Sequence, residues 1–496
     1  MSNDAIARAS GRRLIAGVAW NALGRGLPLI LALGLTPILV HQLGIERWGI
    51  FTLALALVGV FGMLDLGVGP ALTRALSERI GAGQREGEGV LVASAIAVLG
   101  AVSLAGSILV WFAVPALVTR VLNMPVSLHE EAIAAMRVLV ASAPLVVVNA
   151  ALWGVLAAHQ KFRAANLVTM PVGIFYYLGP VLVLSVWNSL TGAMLALVAC
   201  RLANTISYAV LVRPLLPGFG PVRLSAVAPL LRIGGWMTFS SALSQALNYA
   251  DRFLVGAMLT IAAVAFYATP LDLVMRFWIF PVAVAQALLP ALASSFRALP
   301  AETASLLRRG VLLVGVIVLP AALLLAVFAH PLLLLWLGRT FADGSAAVAR
   351  ILAVGILFNC LAFAPGSLIE AIGRPDLLAR FSLAQAVLFL PLSALLLHLI
   401  GIEGAAIAWA LRAATDCAGR LVLAARVYPA ASQAIRALAL PVVAGGAGLL
   451  GASLLAVVPA LLLAAATFLG FALLAWQALP AGERTGLLDA VRRRAA

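Results

Sequence analysis

Lysine is all but absent. Lys161 is the only one, and arginine supplies every other member of the 33 basic residues. A loop that grips nucleotide phosphates needs a lysine behind a glycine-rich approach, which Lys161 lacks, so ATP hydrolysis is excluded. Cysteine is almost as scarce. Cys200, Cys360 and Cys417 are odd in number, lie inside apolar stretches and show no CxxC spacing, which leaves no disulfide framework and no zinc ribbon. His41, His129, His159, His330 and His398 fall in loops and at span ends without an HExxH pair, so neither a metal nor another cofactor is expected. There is no GxSxG elbow and no pair of loop carboxylates suited to glycosyl transfer. With only 10% charged residues, no soluble domain of useful size remains.

What is present is apolar sequence, 64% of the 496 residues, in repeated stretches of about 20 residues, each long enough to cross a bilayer. Six spans fit between Leu14 and Val212, six more between Pro229 and Val427, and a closing pair at Ala434–Leu455 and Pro459–Leu479. The first run, Arg12–Val40, is too long for a cleaved leader and reads as an uncleaved signal anchor. Arginine marks alternate connections: Arg8, Arg12 and Arg13 before the first span, then Arg74, Arg79, Arg85, Arg163, Arg213, Arg223, Arg297, Arg308, Arg309, Arg374 and Arg426, and finally Arg492, Arg493 and Arg494. The intervening connections hold little beyond Arg47, Arg120 and Arg339. By the positive-inside bias both termini are cytoplasmic. This accounts for most of the +15 net charge, and nucleic acid is not an expected partner.

The halves echo each other faintly. Gly17-Val18-Ala19-Trp20 meets Ile233-Gly234-Gly235-Trp236, and Gly49-Ile50-Phe51 meets Ala265-Phe266-Tyr267, both at an offset of 216 residues. Six spans per copy is an even number, so the copies share one orientation. The expected fold is an all-α polytopic membrane protein of about 14 transmembrane helices, two six-helix lobes related by pseudo-two-fold symmetry plus two C-terminal helices. The expected divisions are residues 1–222, 223–432 and 433–496. An arginine facing lipid at mid-bilayer costs at least ~2.5 kcal/mol, so charges within spans should face a cavity between the lobes. Candidates are Arg25, Arg201, Arg252, Arg276 and Arg412, accompanied by Asp65, Asp251, Asp272 and Asp416. Asp272 and Arg276 stand one turn apart, and Arg412, Asp416 and Arg420 form an i, i+4, i+8 ladder, so local neutralisation is the competing reading there. Arg25 and Arg201 have no carboxylate within a turn of their own span. Guanidinium forks suit phosphates, which favours an anionic headgroup. Asp65, Gly67, Gly69 and Pro70 form the densest proline-glycine spot, either a hinge or a packed kink.

Four stretches carry a resemblance: Leu64-Asp65-Leu66-Gly67-Val68-Gly69-Pro70-Ala71-Leu72, Tyr249-Ala250-Asp251-Arg252-Phe253-Leu254-Val255-Gly256, Ala371-Ile372-Gly373-Arg374-Pro375, and Gly401-Ile402-Glu403-Gly404-Ala405-Ala406-Ile407-Ala408-Trp409. In order and spacing they resemble the polysaccharide transporter, or oligosaccharide flippase, branch of the multidrug/oligosaccharidyl-lipid/polysaccharide exporter superfamily. The resemblance implies a non-enzymatic transporter in the bacterial inner membrane. It would carry an undecaprenyl-diphosphate-linked oligosaccharide to the outer leaflet by alternating access, with the polyprenyl tail in membrane lipid or along spans 13 and 14. It further implies a monomeric transport unit, with a polymerase and a chain-length regulator as pathway partners. Two alternatives remain open: a cation-coupled multidrug exporter of the same fold, and a membrane-embedded glycan polymerase or ligase, which the short outer connections disfavour.

Overall fold

The computed structural model describes residues 3–61, 68–83, 85–216, 218, 220–227 and 249–479, with backbone alone for residues 3–29, 68, 70 and 71. Among them every regular element is helical. The helices are α1 (Asn3–Phe61), α2 (Val68–Gly81), α3 (Glu88–Ala116), α4 (His129–Ala141), α5 (Ala143–Ala158), α6 (Phe162–Val186), α7 (Leu190–Val212), α8 (249–258) and α9 (Ile261–Met275). Next come α10 (Ile279–Ser295), α11 (Pro300–Leu337), α12 (Arg339–Leu361), α13 (Phe363–Ala371), α14 (Pro375–Ile400), α15 (Ile402–Val427), α16 (Ser432–Leu454) and α17 (Val457–Ala478). The protein is an all-α, multi-pass membrane protein.

Eleven stretches of the described residues are long and apolar enough to span a bilayer. The fourteen-span expectation is reconciled by three features. Gly44, at φ 74 and ψ 169, breaks α1 between the first and second expected spans without an intervening loop, a conformation that glycine adopts at little cost. Only part of the seventh expected span is described, as α8. The twelfth, α15, is a full 26-residue helix but carries Glu403, Arg412, Asp416, Arg420 and Arg426.

The chain divides into two compact units, Met1–Ala265 and Phe266–Ala496, with the boundary inside α9. The first unit is built on a buried cluster in which Leu72 and Leu76 of α2, Leu99 of α3, Val155 of α5 and Tyr208 of α7 converge. Here α2 crosses α5 closely: the Thr73 hydroxyl donates to the Gly69 and Gly154 carbonyls at 3.0 and 3.2 Å. A Cβ on Gly154 would stand 2.9 Å from the Gly69 oxygen. In the second unit α11, α12, α15 and α16 bury Leu319, Leu352, Ile356 and Trp409. Gly355 lets the Trp409 ring lie on the α12 backbone, since a Cβ there would come within 2.5 Å of it. Gly355→Ala should therefore overpack this crossing by about 1–3 kcal/mol, read as a lowered unfolding temperature of the detergent-solubilised protein; an unchanged midpoint would refute it.

A proline within a span does not by itself break the helix. Pro171 and Pro180 lie within α6, Pro320 within α11, Pro391 within α14 and Pro441 within α16. Four interruptions sit two to five residues before a proline: Ser142 before Pro144, Phe328 before Pro331, Ala362 before Pro365, and a 3-10 turn at Arg276–Trp278 before Pro281. Each proline removes a donor and crowds the turn preceding it, and the backbone yields there.

Candidate functional site

In the first unit the break at Ser142 creates a polar point inside a span. The Ser142 hydroxyl donates to the Leu139 carbonyl at 2.6 Å and accepts from Arg201 Nη1 at 2.7 Å. Arg201 Nη2 reaches the Tyr176 hydroxyl at 3.4 Å, and Tyr176 packs edge-on against Tyr177. Arg201 is half-buried, and among the described residues no carboxylate lies within ion-pair distance of it. Its charge is held by two neutral oxygens. Below it, Thr169 and Tyr208 share a hydrogen bond at 2.6 Å, continuing the polar seam between α6 and α7. Asp251 and Arg252 of α8 are both buried, and Arg252 stacks over the Tyr249 ring at 5.5 Å.

The second unit holds Asp272, Arg276, Arg412 and Asp416. Arg276 opens the 3-10 turn that separates α9 from α10, in the middle of the Ile261–Ser295 span. A 3-10 segment within a helix marks a hinge or a strained point. It is braced by Trp278, whose indole N–H donates to Asn359 Oδ1 at 2.7 Å while its ring packs edge-on against Phe363 at 5.8 Å. Asn359 and Phe363 flank the α12–α13 break, so two interrupted spans are joined at their interruptions. Asn359→Leu would strand a partly buried indole N–H and should cost about 1–3 kcal/mol. Thermal unfolding of the variant in detergent checks this, and an unchanged midpoint would refute the brace.

On α15 Asp416 is buried and bound by Arg420 Nε at 3.0 Å, one turn on. The Arg420 guanidinium in turn lies over Gly366, where a Cβ would meet Nη1 at 2.9 Å. The ladder is thus locally neutralised at its Asp416–Arg420 step. Arg25 lies in α1, but its side chain is outside the described residues, as are Asp65 and Gly67; Gly69 stands in α2 against Gly154, and Pro70 is described by its backbone alone.

Peripheral charges serve packing. Arg137 stacks over Trp111 at 5.4 Å and donates to its carbonyl, and Arg47 binds Glu131 at 2.8 Å and Asn188 at 3.1 Å. Beyond the end of α5, burial holds the His159 imidazole below its ordinary range, with Glu88 opposing and Arg85 and Lys161 reinforcing the shift. No group of three potential metal ligands exists among the described residues.

A second feature is a groove of about 790 Å³ between α10, α11 and α17. Its walls are apolar, with Ala287, Leu313, Val316 and Ala472 among them, and Arg309 and Trp476 stand toward one end. The tail path that the resemblance put along spans 13 and 14 shares α17 with this groove, whose other walls, α10 and α11, the sequence did not point to. Sequence reading also missed Ser142, Tyr176 and Asn359, for which the only local signal was a nearby proline, Pro144, Pro180 and Pro365 respectively.

The family model for polysaccharide biosynthesis proteins matches residues 14–296, more than half of the chain. The chain belongs to that family. A Shigella flexneri protein named "Putative O-antigen transporter" is 26% identical over 413 residues, covering 81% of this chain and 96% of its own. Solved structures agree on the fold. An inward-facing multidrug resistance MATE family transporter of the MOP superfamily superposes with a TM-score of 0.73 at 15% identity, covering 84% of this chain and 99% of that one. A mutant MATE transporter from Vibrio cholerae gives 0.58 at 17% identity, over 83% and 98% of the two chains. These likenesses show that this polysaccharide biosynthesis protein shares the fold of those two transporters.

Proposed function

We propose that this protein flips an undecaprenyl-diphosphate-linked oligosaccharide from the cytoplasmic to the outer leaflet of the bacterial inner membrane by alternating access. The observation that carries the reading is Arg201, a half-buried guanidinium within a span, tethered by the neutral hydroxyls of Ser142 and Tyr176 and unmatched by a carboxylate among the described residues. An uncompensated arginine at such a depth is expensive unless an anion visits it, and the planar fork suits a diphosphate. Arg25, Arg252, Arg276 and Arg412 are the further headgroup contacts in this reading. Asp65, Asp251, Asp272 and Asp416 are counter-charges or coupling sites, and Gly67, Gly69 and Pro70 are the hinge. The polyprenyl tail lies in the groove beside α17, its phosphate end toward Arg309. Both termini face the cytoplasm, the transport unit is a monomer, and a polymerase and chain-length regulator act on the product. Family membership and the Shigella relative's name support the same substrate class.

Cation-coupled drug export is the second reading, favoured by the MATE fold and by the burial of Asp251 and Asp416. Against it, Asp416 is already bound by Arg420. Deleting the gene and extracting the lipid fraction separates the two. A flippase leaves the lipid-linked oligosaccharide accumulating in the cytoplasmic leaflet while surface polysaccharide disappears. An unchanged pool with new sensitivity to cationic drugs would replace it with the exporter.

A further inference from the structure

One asparagine closes the turn between α8 and α9. After α3 the chain tightens into a π-turn at Leu117–Val121 and then extends through Leu122 into Asn123. The Asn123 backbone N–H donates to the Gly256 carbonyl at 2.8 Å, and its carbonyl accepts from the Ile261 N–H at 3.1 Å. Its side-chain amide donates to the Leu259 carbonyl. A helix end leaves its last carbonyls and the next helix its first N–H groups without partners of their own. Here a residue 136 positions away supplies them.

Small residues let the turn sit down. A Cβ on Gly49 of α1 would collide with the Ile261 carbonyl, and one on Gly256 would press on Leu122 Cδ2 at 3.0 Å and Leu53 Cδ1 at 3.3 Å. The 122–125 link and the 259–260 turn are odd-numbered connections, both on the arginine-poor side that the charge distribution assigns to the outside. At that aqueous edge the Asn123 bonds are exchangeable: water can take over each of them when the surfaces part, which makes the joint strong while closed and releasable. By contrast the Arg47–Glu131–Asn188 contact ties elements of spans 2, 4 and the start of α7 and leaves the α8–α9 turn alone.

We propose that Asn123 is the catch of the outer gate: the end of α8 and the α8–α9 turn are latched to α1 and to the 122–125 link while the outer side is closed, and must leave them for the headgroup to exit. This rests on the alternating-access reading above. The experiment is a reversible cross-link. In a chain carrying Cys200→Ala, Cys360→Ala and Cys417→Ala, the pair Asn123→Cys and Leu259→Cys is introduced, and export is scored in the deletion host before oxidation, after it, and after reduction. Oxidation should lower export at least about tenfold and reduction should restore it, as for any gate on the transport path. Complete cross-linking with undiminished export would overturn the catch, as would failure of the pair to cross-link. Should the reduced double variant fail to export, Asn123→Ala alone decides. With Ile261→Cys as reporter, it should raise labelling by an impermeant maleimide from outside several-fold, and unchanged labelling would overturn the catch. Failure of the flippase reading looks different: the unmodified gene would then not clear an accumulated lipid-linked oligosaccharide at all.

Discussion

Arg201→Ala should abolish export while leaving the protein in the membrane at its normal level. A hydrogen bond to a charged group contributes about 1.5–3 kcal/mol, so losing the guanidinium from a diphosphate contact predicts a fall of roughly 10–100-fold from that interaction alone. Stability should move the other way or not at all, because removing an uncompensated charge from a span relieves a cost of about 2.5–3.5 kcal/mol on insertion scales. Arg201→Lys separates charge from geometry: Lys keeps the positive charge but cannot bridge Ser142 and Tyr176 with two parallel donors, so partial export is expected. Ser142→Ala and Tyr176→Phe each remove one tether and should lower export less than Arg201→Ala. Surface polysaccharide and the lipid-linked pool, scored at matched protein level, read all four. Full export by Arg201→Ala would sink the assignment. Arg25→Ala is expected to behave like Arg201→Ala, for the same reason of an absent carboxylate on its own span.

The number and extent of the spans were legible because bilayer thickness imposes length, and length is read directly from apolar runs. The sixth span was placed at Leu190–Val212, where α7 lies, and the fourteenth within two residues of α17. The charges within spans were visible too, since an ionisable residue inside a span stands out by itself. Their partners were not. Asp416 and Arg420 pair because i and i+4 share a helix face, and that spacing was readable. Arg201 meets Ser142 and Tyr176 through tertiary packing of α4, α5, α6 and α7, for which a single sequence holds no periodic signal. Breaks were harder still: helices continue through several prolines, and the 3-10 turn at Arg276–Trp278 is tied down by Asn359, 81 residues on. Whether a proline kinks its span depends on what the freed carbonyl and the preceding residue can bind, which is a property of the neighbours. Thus the resemblance to oligosaccharide flippases pointed to the right family from four short stretches, while the chemistry around each arginine needed coordinates.

Filling the groove should separate the tail from the headgroup. Ala287 is exposed on α10, facing Leu313 and Val316 of α11 across the apolar walls, so Ala287→Trp can occupy the groove without displacing core side chains. Tail methylenes excluded from the walls pass into lipid as apolar as the groove, so only packing contacts of about 0.1–0.2 kcal/mol each are lost, and ten of them predict a loss of roughly 5–30-fold for the long-chain substrate. The control is Leu324→Trp, which puts an indole at an exposed site of α11 outside the groove and should leave export unchanged. Comparing a long polyprenyl carrier with a short-chain analogue of the same diphosphate oligosaccharide makes the result specific. Ala287→Trp should penalise the long chain and leave the short one nearly untouched, because the short analogue keeps its phosphates on the arginines and never needed the groove. Equal losses on both would mean that the bulk disturbs the second unit generally, and no loss on either would mean that the tail stays in bulk lipid throughout the cycle.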